Sequence, residues 1–262
     1  MESGSIDIKV KAAEVVGSLV ATLPVKYVKN YLNFAVPMMK VTDQIIFENQ
    51  DIDSGSKMLE TFSEIIETEP KFFKKNFNDL VDLMSKIRSD KNVEVGIKNQ
   101  CIEIIISISQ RYPEVLKEDS ALLTKVVEMV FTQMLEIPDD VTEEWMNPPD
   151  GFNEDDDDLD DQNVCKFCMD CIDRLLSHVG PKIMLPFLSD CIQKLLGQNN
   201  WKMTHAAFMA LSQIGEYMGD KPEEVAPIVD KIGTFINHEN PRIRYACCHA
   251  IGQLADDLAP DF

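Results

Sequence analysis

Apolar positions along this chain recur at steps of three and four, and the pattern restarts six times. In residues 204–218 the recurring set is Ala207, Phe208, Leu211, Ile214 and Met218. In residues 243–258 it is Ile243, Ala246, Cys247, Ala250, Leu254 and Leu258. That spacing predicts amphipathic helices rather than strands. Each of the six stretches runs up to a proline: Pro24, Pro70, Pro113, Pro181, Pro222 and Pro260. The prolines follow one another at a near-regular interval, with one longer step from Pro113 to Pro181. A shorter amphipathic stretch follows each of the first five. With B for the longer helix and A for the shorter, the pattern predicts B at 6–22, 52–68, 92–111, 163–179, 200–218 and 240–257. It predicts A at 25–40, 70–87, 118–136, 181–196 and 222–236. The prolines fall where a helix tolerates them, at the first turn of the next one. Asp51 or Asp53, Asn92, Asn163, Asn199 and Asn240 stand where a side chain caps a B helix. Ala206, Ala210, Gly215, Ala250 and Gly252 are placed to let neighbouring helices approach closely.

A two-helix period near 40–47 residues is the signature of HEAT or armadillo-type repeats. The expected fold is all-α: a HEAT-repeat solenoid, a right-handed superhelical stack of antiparallel helix pairs. It forms one array over residues 1–262 of about five and a half repeats, with B helices on the concave side and an inter-helix loop at 138–161. The chain opens inside a B helix and stops where another A helix is due. Neither end reads as a capping repeat, so a segment of a longer array is expected.

Charge then narrows the function. The net charge is −20, and residues 138–161 hold twelve acidic residues with no Lys or Arg. This composition predicts a solvated, poorly ordered loop or an acidic contact arm for a basic partner. Phosphate binding depends on Lys and Arg, so no nucleic-acid partner is expected. No apolar run approaches the ~18 residues of a membrane span and no signal peptide is recognised, so no membrane partner is expected. Seven cysteines, an odd number, with no export signal point to a reducing intracellular setting.

Candidate chemistry is sparse. Cys165, Cys168 and Cys171 form a C-x2-C-x2-C run, with Cys191 or His178 as a conceivable fourth ligand. The run lies inside a B helix, which favours core-facing thiols, so no metal or other cofactor is expected. Asp155 and Asp157 sit at alternating positions, as in a calcium loop, but Lys166 stands where such a loop needs Glu. Cys247, Cys248 and His249 are adjacent in a helix and do not face one another. Trp201 opens a B helix, either as packing between repeats or as a platform for an extended peptide. Asp173, Glu216 and Asp257 fall late in three successive B helices, one repeat apart. One acid per repeat makes a row along one surface, either a solvated face or a site for spaced Lys or Arg. No pattern supports catalysis, and the chain is not expected to be an enzyme.

Several stretches resemble a known family. VTEEW, EDDDDLDD, DRLLSHVGPKIMLPFL, NNWKMTHAAFMALSQIGE and ENPRIRYACCHAIGQLADDLAPDF are similar to the importin-beta (karyopherin-beta) superfamily, in particular its importin-5 or karyopherin beta-3 branch. From Val141 to Phe262 the residues carry the likeness; over 6–140 the repeat pattern does. The resemblance implies a central piece of a nuclear transport receptor that shuttles between cytoplasm and nucleus. It implies cargo proteins with Lys-rich localisation signals as partners and, for a whole receptor, Ran–GTP and nucleoporins. It implies that Asp173, Glu216 and Asp257 receive lysines of the cargo signal, with Trp201 against a lysine stem. It implies that Glu154, Asp155, Asp156, Asp157, Asp158, Asp160 and Asp161 belong to a Ran-contacting loop tied to cargo release. A generic HEAT scaffold, such as a phosphatase-scaffold or chaperone-like protein, is the alternative.

Overall fold

The computed structural model describes residues 5–137, 160–218 and 222–258, and every regular element among them is helical. The predicted acidic loop, residues 138–161, lies outside the described residues up to 159, as does Pro260. The chain gathers into two units, Met1–Met129 and Val130–Phe262.

The first unit carries three B helices, α1 (Ile6–Thr22), α4 (Ile52–Thr68) and α7 (Val95–Arg111). α1 packs on α4 and α4 on α7. Asp51 caps α4 by accepting a hydrogen bond from the Ser54 amide at 2.9 Å. Glu94 rather than Asn92 precedes α7, without a side-chain cap. Gly17 of α1 lies where a Cβ would sit 3.1 Å from Thr61 Cγ2, so glycine allows this contact between α1 and α4.

The A segments of this unit depart from the predicted single helices. After Pro24 come α2 (Val25–Val28), a 3-10 turn (Leu32–Phe34), α3 (Ala35–Asp43) and a π turn (Gln44–Glu48). After Pro70 come α5 (Lys71–Lys74) and α6 (Phe77–Arg88). After Pro113 come α8 (Glu114–Lys117) and α9 (Ser120–Met134). Packing gives the reason. The single turn of α5 drives Phe72 and Phe73 into the core beside Phe62, with the Phe62 and Phe73 rings 4.8 Å apart. The chain then starts a new helix at Phe77. In α9, Asp119 restarts the helix by accepting from the Leu122 amide at 3.0 Å. Propensity reads helix throughout; burial decides where it must break.

Successive A segments are tied by exposed ion pairs. Lys86 reaches Asp43 at 2.5 Å, Lys74 reaches Glu114 at 2.6 Å, and Lys125 pairs with Asp82. Exposed pairs of this kind are each worth ~0–1 kcal/mol. They fix register more than they supply stability.

The second unit carries α10 (Asp160–Val179), α11 (Pro181–Leu196), α12 (Trp201–Leu211), a 3-10 turn (Gly215–Tyr217), α13 (Pro222–Gly233) and α14 (Pro241–Asp257). The B helices α10, α12 and α14 pack one after another. Gly180 joins α10 to α11 with φ +101°, a conformation in the left-handed region that glycine enters without Cβ strain. Asn200, not Asn199, caps α12 through the Lys202 amide at 2.9 Å, and Asn240 caps α14 through Arg242 at 2.9 Å. Asn163 falls within α10 rather than before it. Ala206, Ala207, Ala210, Ala246, Cys247 and Ala250 are fully buried, so small side chains let α12 and α14 lie close. Gly252, expected at such a contact, is exposed with nothing near its Cβ position.

Two glycines with opposite surroundings test this packing. A Cβ on Gly55 of α4 would overlap Ile46 Cγ1 and lie 2.9 Å from Ile46 Cδ1 in the π turn, whereas one on Gly96 of α7 meets nothing within 4 Å. Gly55→Ala is expected to lose about 1–3 kcal/mol to overpacking, offset only in part by helix propensity. Gly96→Ala should gain up to ~1 kcal/mol. Urea denaturation of both variants checks the pair, and equal effects would contradict the close contact at Gly55.

Candidate functional site

The three acids of the predicted row lie in the second unit and meet around one element. The B segment at 200–218 is not a continuous helix. It runs as α12 to Leu211, then tightens to i→i−3 bonding, with Gln213 N to Ala210 O at 3.2 Å and Ile214 N to Leu211 O at 3.2 Å. The Ser212 hydroxyl donates to Met209 O at 2.7 Å inside this bend. The 3-10 turn Gly215–Tyr217 follows and carries Glu216 exposed.

Asp173 and Asp257 approach that turn from its two neighbours. The Tyr217 hydroxyl donates to Asp173 Oδ1 of α10 at 2.8 Å. On the other side Asp257 of α14 lies against Gly215, where a Cβ would be 2.6 Å from Asp257 Oδ2 and 2.9 Å from Leu254 Cδ2. Gln253 donates to Asp257 Oδ1 at 2.9 Å. The order across the surface is thus Asp173, Tyr217, Glu216, Gly215, Asp257. Asp173 and Asp257 are half-buried and Glu216 is exposed. One acid per B helix, held at one turn, is a geometry that can meet a series of cationic groups.

Burial, first, and then the Asp173 hydrogen bond and charge push the Tyr217 phenol up to about 12. The Glu216 charge adds to the rise, while the Ser177 hydroxyl bonded to Tyr217 pulls the other way.

Trp201 lies at the opposite end of α12 from this turn. It is the first residue of α12, while Glu216 lies beyond that helix's last residue. The eleven residues of α12 span ~16 Å at 1.5 Å each. The ring is half-buried, with the Arg242 guanidinium carbon 5.9 Å and Lys202 Nζ 5.7 Å from its centroid. Arg242 itself is buried, so this contact links α12 to α14, as packing between repeats requires. Cys165, Cys168 and Cys171 are buried along α10. Among the described residues no three His, Cys, Asp or Glu side chains are grouped to hold a metal ion. Of the acidic-loop set, Glu154 to Asp158 lie outside the described residues. Asp160 and Asp161 open α10, and their side chains are not described.

Sequence reasoning missed three members of the row: Tyr217, Gln253 and Gly215 in its role beside Asp257. It also missed an apolar groove of about 1120 Å³ between α11 and α13, floored by α12 and the bend after it. Leu185, Ile192, Phe208, Ile228 and Phe235 line it, with Lys182 and Lys231 also in its wall. Tyr217 lines the groove with its ring while its hydroxyl serves Asp173. The signal that could have found it is the pair of prolines inside A helices, Pro186 and Pro227, which both line the groove.

Comparison with known proteins agrees with the repeat architecture. Residues 90–186 match the family described as importin repeat, and residues 228–258 match the HEAT repeat. The importin subunit beta-3 of Saccharomyces cerevisiae is 26% identical over 213 residues, covering 79% of this chain and 19% of the relative. A probable importin-5 homolog of Dictyostelium discoideum is 25% identical, covering 81% of this chain and 19% of the relative. The chain therefore spans about a fifth of the length of these curated relatives. The solved structure of Kap121p bound to Nup53p superposes with a TM-score of 0.85 at 22% identity, covering 98% of this chain and 25% of that one.

The Tyr217 bond can be watched directly. The chain has five tyrosines, and one is expected to titrate near 12 in a spectrophotometric titration, a step lost in Tyr217→Phe. The folded pKa is raised above the ordinary value of 10, so the bond's contribution is complete below about pH 10. It is lost as pH rises through about 12. The parent and Tyr217→Phe should therefore differ in stability at pH 8 and converge at high pH; a constant difference would overturn the assignment. The importin and HEAT repeat matches and the two importin relatives make this chain similar to importins, and its fold is the HEAT-repeat solenoid of the solved karyopherin.

Proposed function

We propose that this chain is the cargo-binding part of a nuclear transport receptor, and that Asp173, Glu216 and Asp257 receive basic side chains of an extended localisation signal. The observation that carries the reading is that Asp173 of α10 and Asp257 of α14 both reach the 3-10 turn that carries Glu216. Two comparisons support it. Solved Kap121p chains of the same fold are bound to Nup53p, to Pho4p and to the extreme C-terminus of Cdc14p. Another is a mutant in which one aspartate, one glutamate and a further aspartate are each replaced by lysine. Those three positions follow the order of the acids here, Asp, Glu, Asp, and like them lie about one repeat apart.

Adjacent packed helices sit ~10 Å apart and an extended peptide advances ~3.3 Å per residue, so lysines about three residues apart meet the acids in turn. Each pair on a partly desolvated face contributes on the order of 1 kcal/mol. Asp173→Ala with Glu216→Ala is expected to weaken a Lys-rich extended peptide at least ~tenfold, about 1.4 kcal/mol. Asp173→Asn, which keeps an acceptor for Tyr217, separates the lost charge from any loss of local structure. A titration in which the double variant binds as tightly as the parent would show that the row is only a solvated face.

In the whole receptor the acidic loop, Glu154 to Asp158 with Asp160 and Asp161, would contact Ran–GTP and couple its binding to cargo release. Nucleoporins would be further partners, and the receptor would shuttle between cytoplasm and nucleus. Replacing Asp155 to Asp158 with Asn should slow association with a basic partner and weaken that coupling, leaving the fold intact. Stopped-flow association at low and physiological salt reads the effect, and unchanged rates would remove the loop from the mechanism.

A further inference from the structure

We propose that Tyr217 is a specificity-determining residue of the acidic row, and that it sets a preference for lysine over arginine. The inference rests on the cargo-binding reading above and adds to it a residue outside the acids themselves. The Tyr217 hydroxyl donates to Asp173 Oδ1 at 2.8 Å, while Oδ2 accepts no hydrogen bond among the described residues. Gln253 donates to Asp257 Oδ1 at 2.9 Å, and Asp257 Oδ2 lies against Gly215, so the two-pronged face of this carboxylate is also reduced. Glu216 projects from the exposed face of the turn, with no such bond among the described residues.

The two cationic side chains use a carboxylate differently. A guanidinium gains most from a pair of parallel N–H···O bonds, one to each oxygen. An ammonium is a compact charge with three rotatable donors, and one oxygen is enough for it. A carboxylate with one oxygen already bonded retains its full negative charge but loses part of its two-pronged face. Such a site keeps its attraction for lysine and forfeits much of the extra gain that arginine would bring. Two neutral donors on two of the three acids make this a property of the row.

Tyr217 is held for this role from two sides. Its ring lines the apolar groove with Ile214 and Met218, and its hydroxyl lies between Asp173 and Ser177 on α10. The ring anchors the hydroxyl, and the hydroxyl orients the carboxylate. Tyr217→Phe keeps the ring and removes only the donor.

The test uses the 262-residue chain and two fluorescein-labelled peptides, identical except that lysines at every third position in one are arginines in the other. The parent is expected to bind the lysine peptide at least ~5-fold more tightly, and Tyr217→Phe to cut that ratio to below ~2 by gaining arginine binding. Gln253→Leu frees Asp257 Oδ1 without touching the groove and should move the ratio the same way. It serves as the reporter if Tyr217→Phe loses its helical circular dichroism. Equal loss of both peptides in Tyr217→Phe, or a ratio that neither variant changes, overturns the proposal and leaves the acidic row standing. Failure of the lysine peptide to bind the parent overturns the row itself, and this inference with it.

Discussion

Within each unit the longer helices bury their apolar stripes against one another, α1 on α4 on α7 and α10 on α12 on α14, and the rest of the unit follows from those contacts. A single amphipathic helix cannot offset its own ordering entropy, so stability comes from the stack. The contact needs small residues at the crossing points. Gly17 supplies one against Thr61, and the buried Ala206, Ala210, Ala246 and Ala250 line the seam of α12 and α14. Once α10, α12 and α14 are in register, residues one repeat apart in sequence are carried to neighbouring places. The acidic row is therefore a consequence of the seam: the same packing that makes the core also sets the spacing of the charges.

The shorter helices are joined differently in the two units. In the first, Lys86–Asp43, Lys125–Asp82 and Lys74–Glu114 tie one A segment to the next across water. In the second, an apolar groove separates α11 from α13, with Lys182 and Lys231 in its wall. Exposed ion pairs set register at little energetic gain. A groove leaves apolar surface uncovered, which costs hydration free energy that closer packing would recover.

The seam was legible in the sequence because its signals are local and periodic. The ends of α1, α4, α11 and α14 follow from proline, cap and apolar spacing, and the structure places them within a residue of expectation. The breaks were not legible. Nothing in the helix-favouring run around Phe72 says that two adjacent aromatics must both be buried, yet that burial splits α5 from α6. Just after the bend at Ser212–Ile214, Gly215 packs closely against Asp257 and Leu254, nearly a whole repeat away in sequence, a contact that no local pattern shows. For the site, spacing alone recovered the acids. Their neutral partners, Tyr217 and Gln253, could not be read because one bond crosses 44 residues and the other depends on which face of α14 meets the turn.

The choice of partners for the acids is itself informative. Some carboxylates elsewhere in this chain meet cations, as Lys74 does Glu114, Lys86 Asp43 and Arg174 Asp170, and others cap helices by accepting from backbone amides, as Asp51 and Asp119 do. In the row, Asp173 accepts from a phenol and Asp257 from an amide. A salt bridge would orient the carboxylate and also cancel its charge; a neutral donor orients it and leaves the charge in place. Asp257 is moreover the last residue of α14, where the helix dipole disfavours an anion. Neutral hydrogen bonds thus hold the carboxylates of Asp173 and Asp257 on either side of the turn without cancelling their charge.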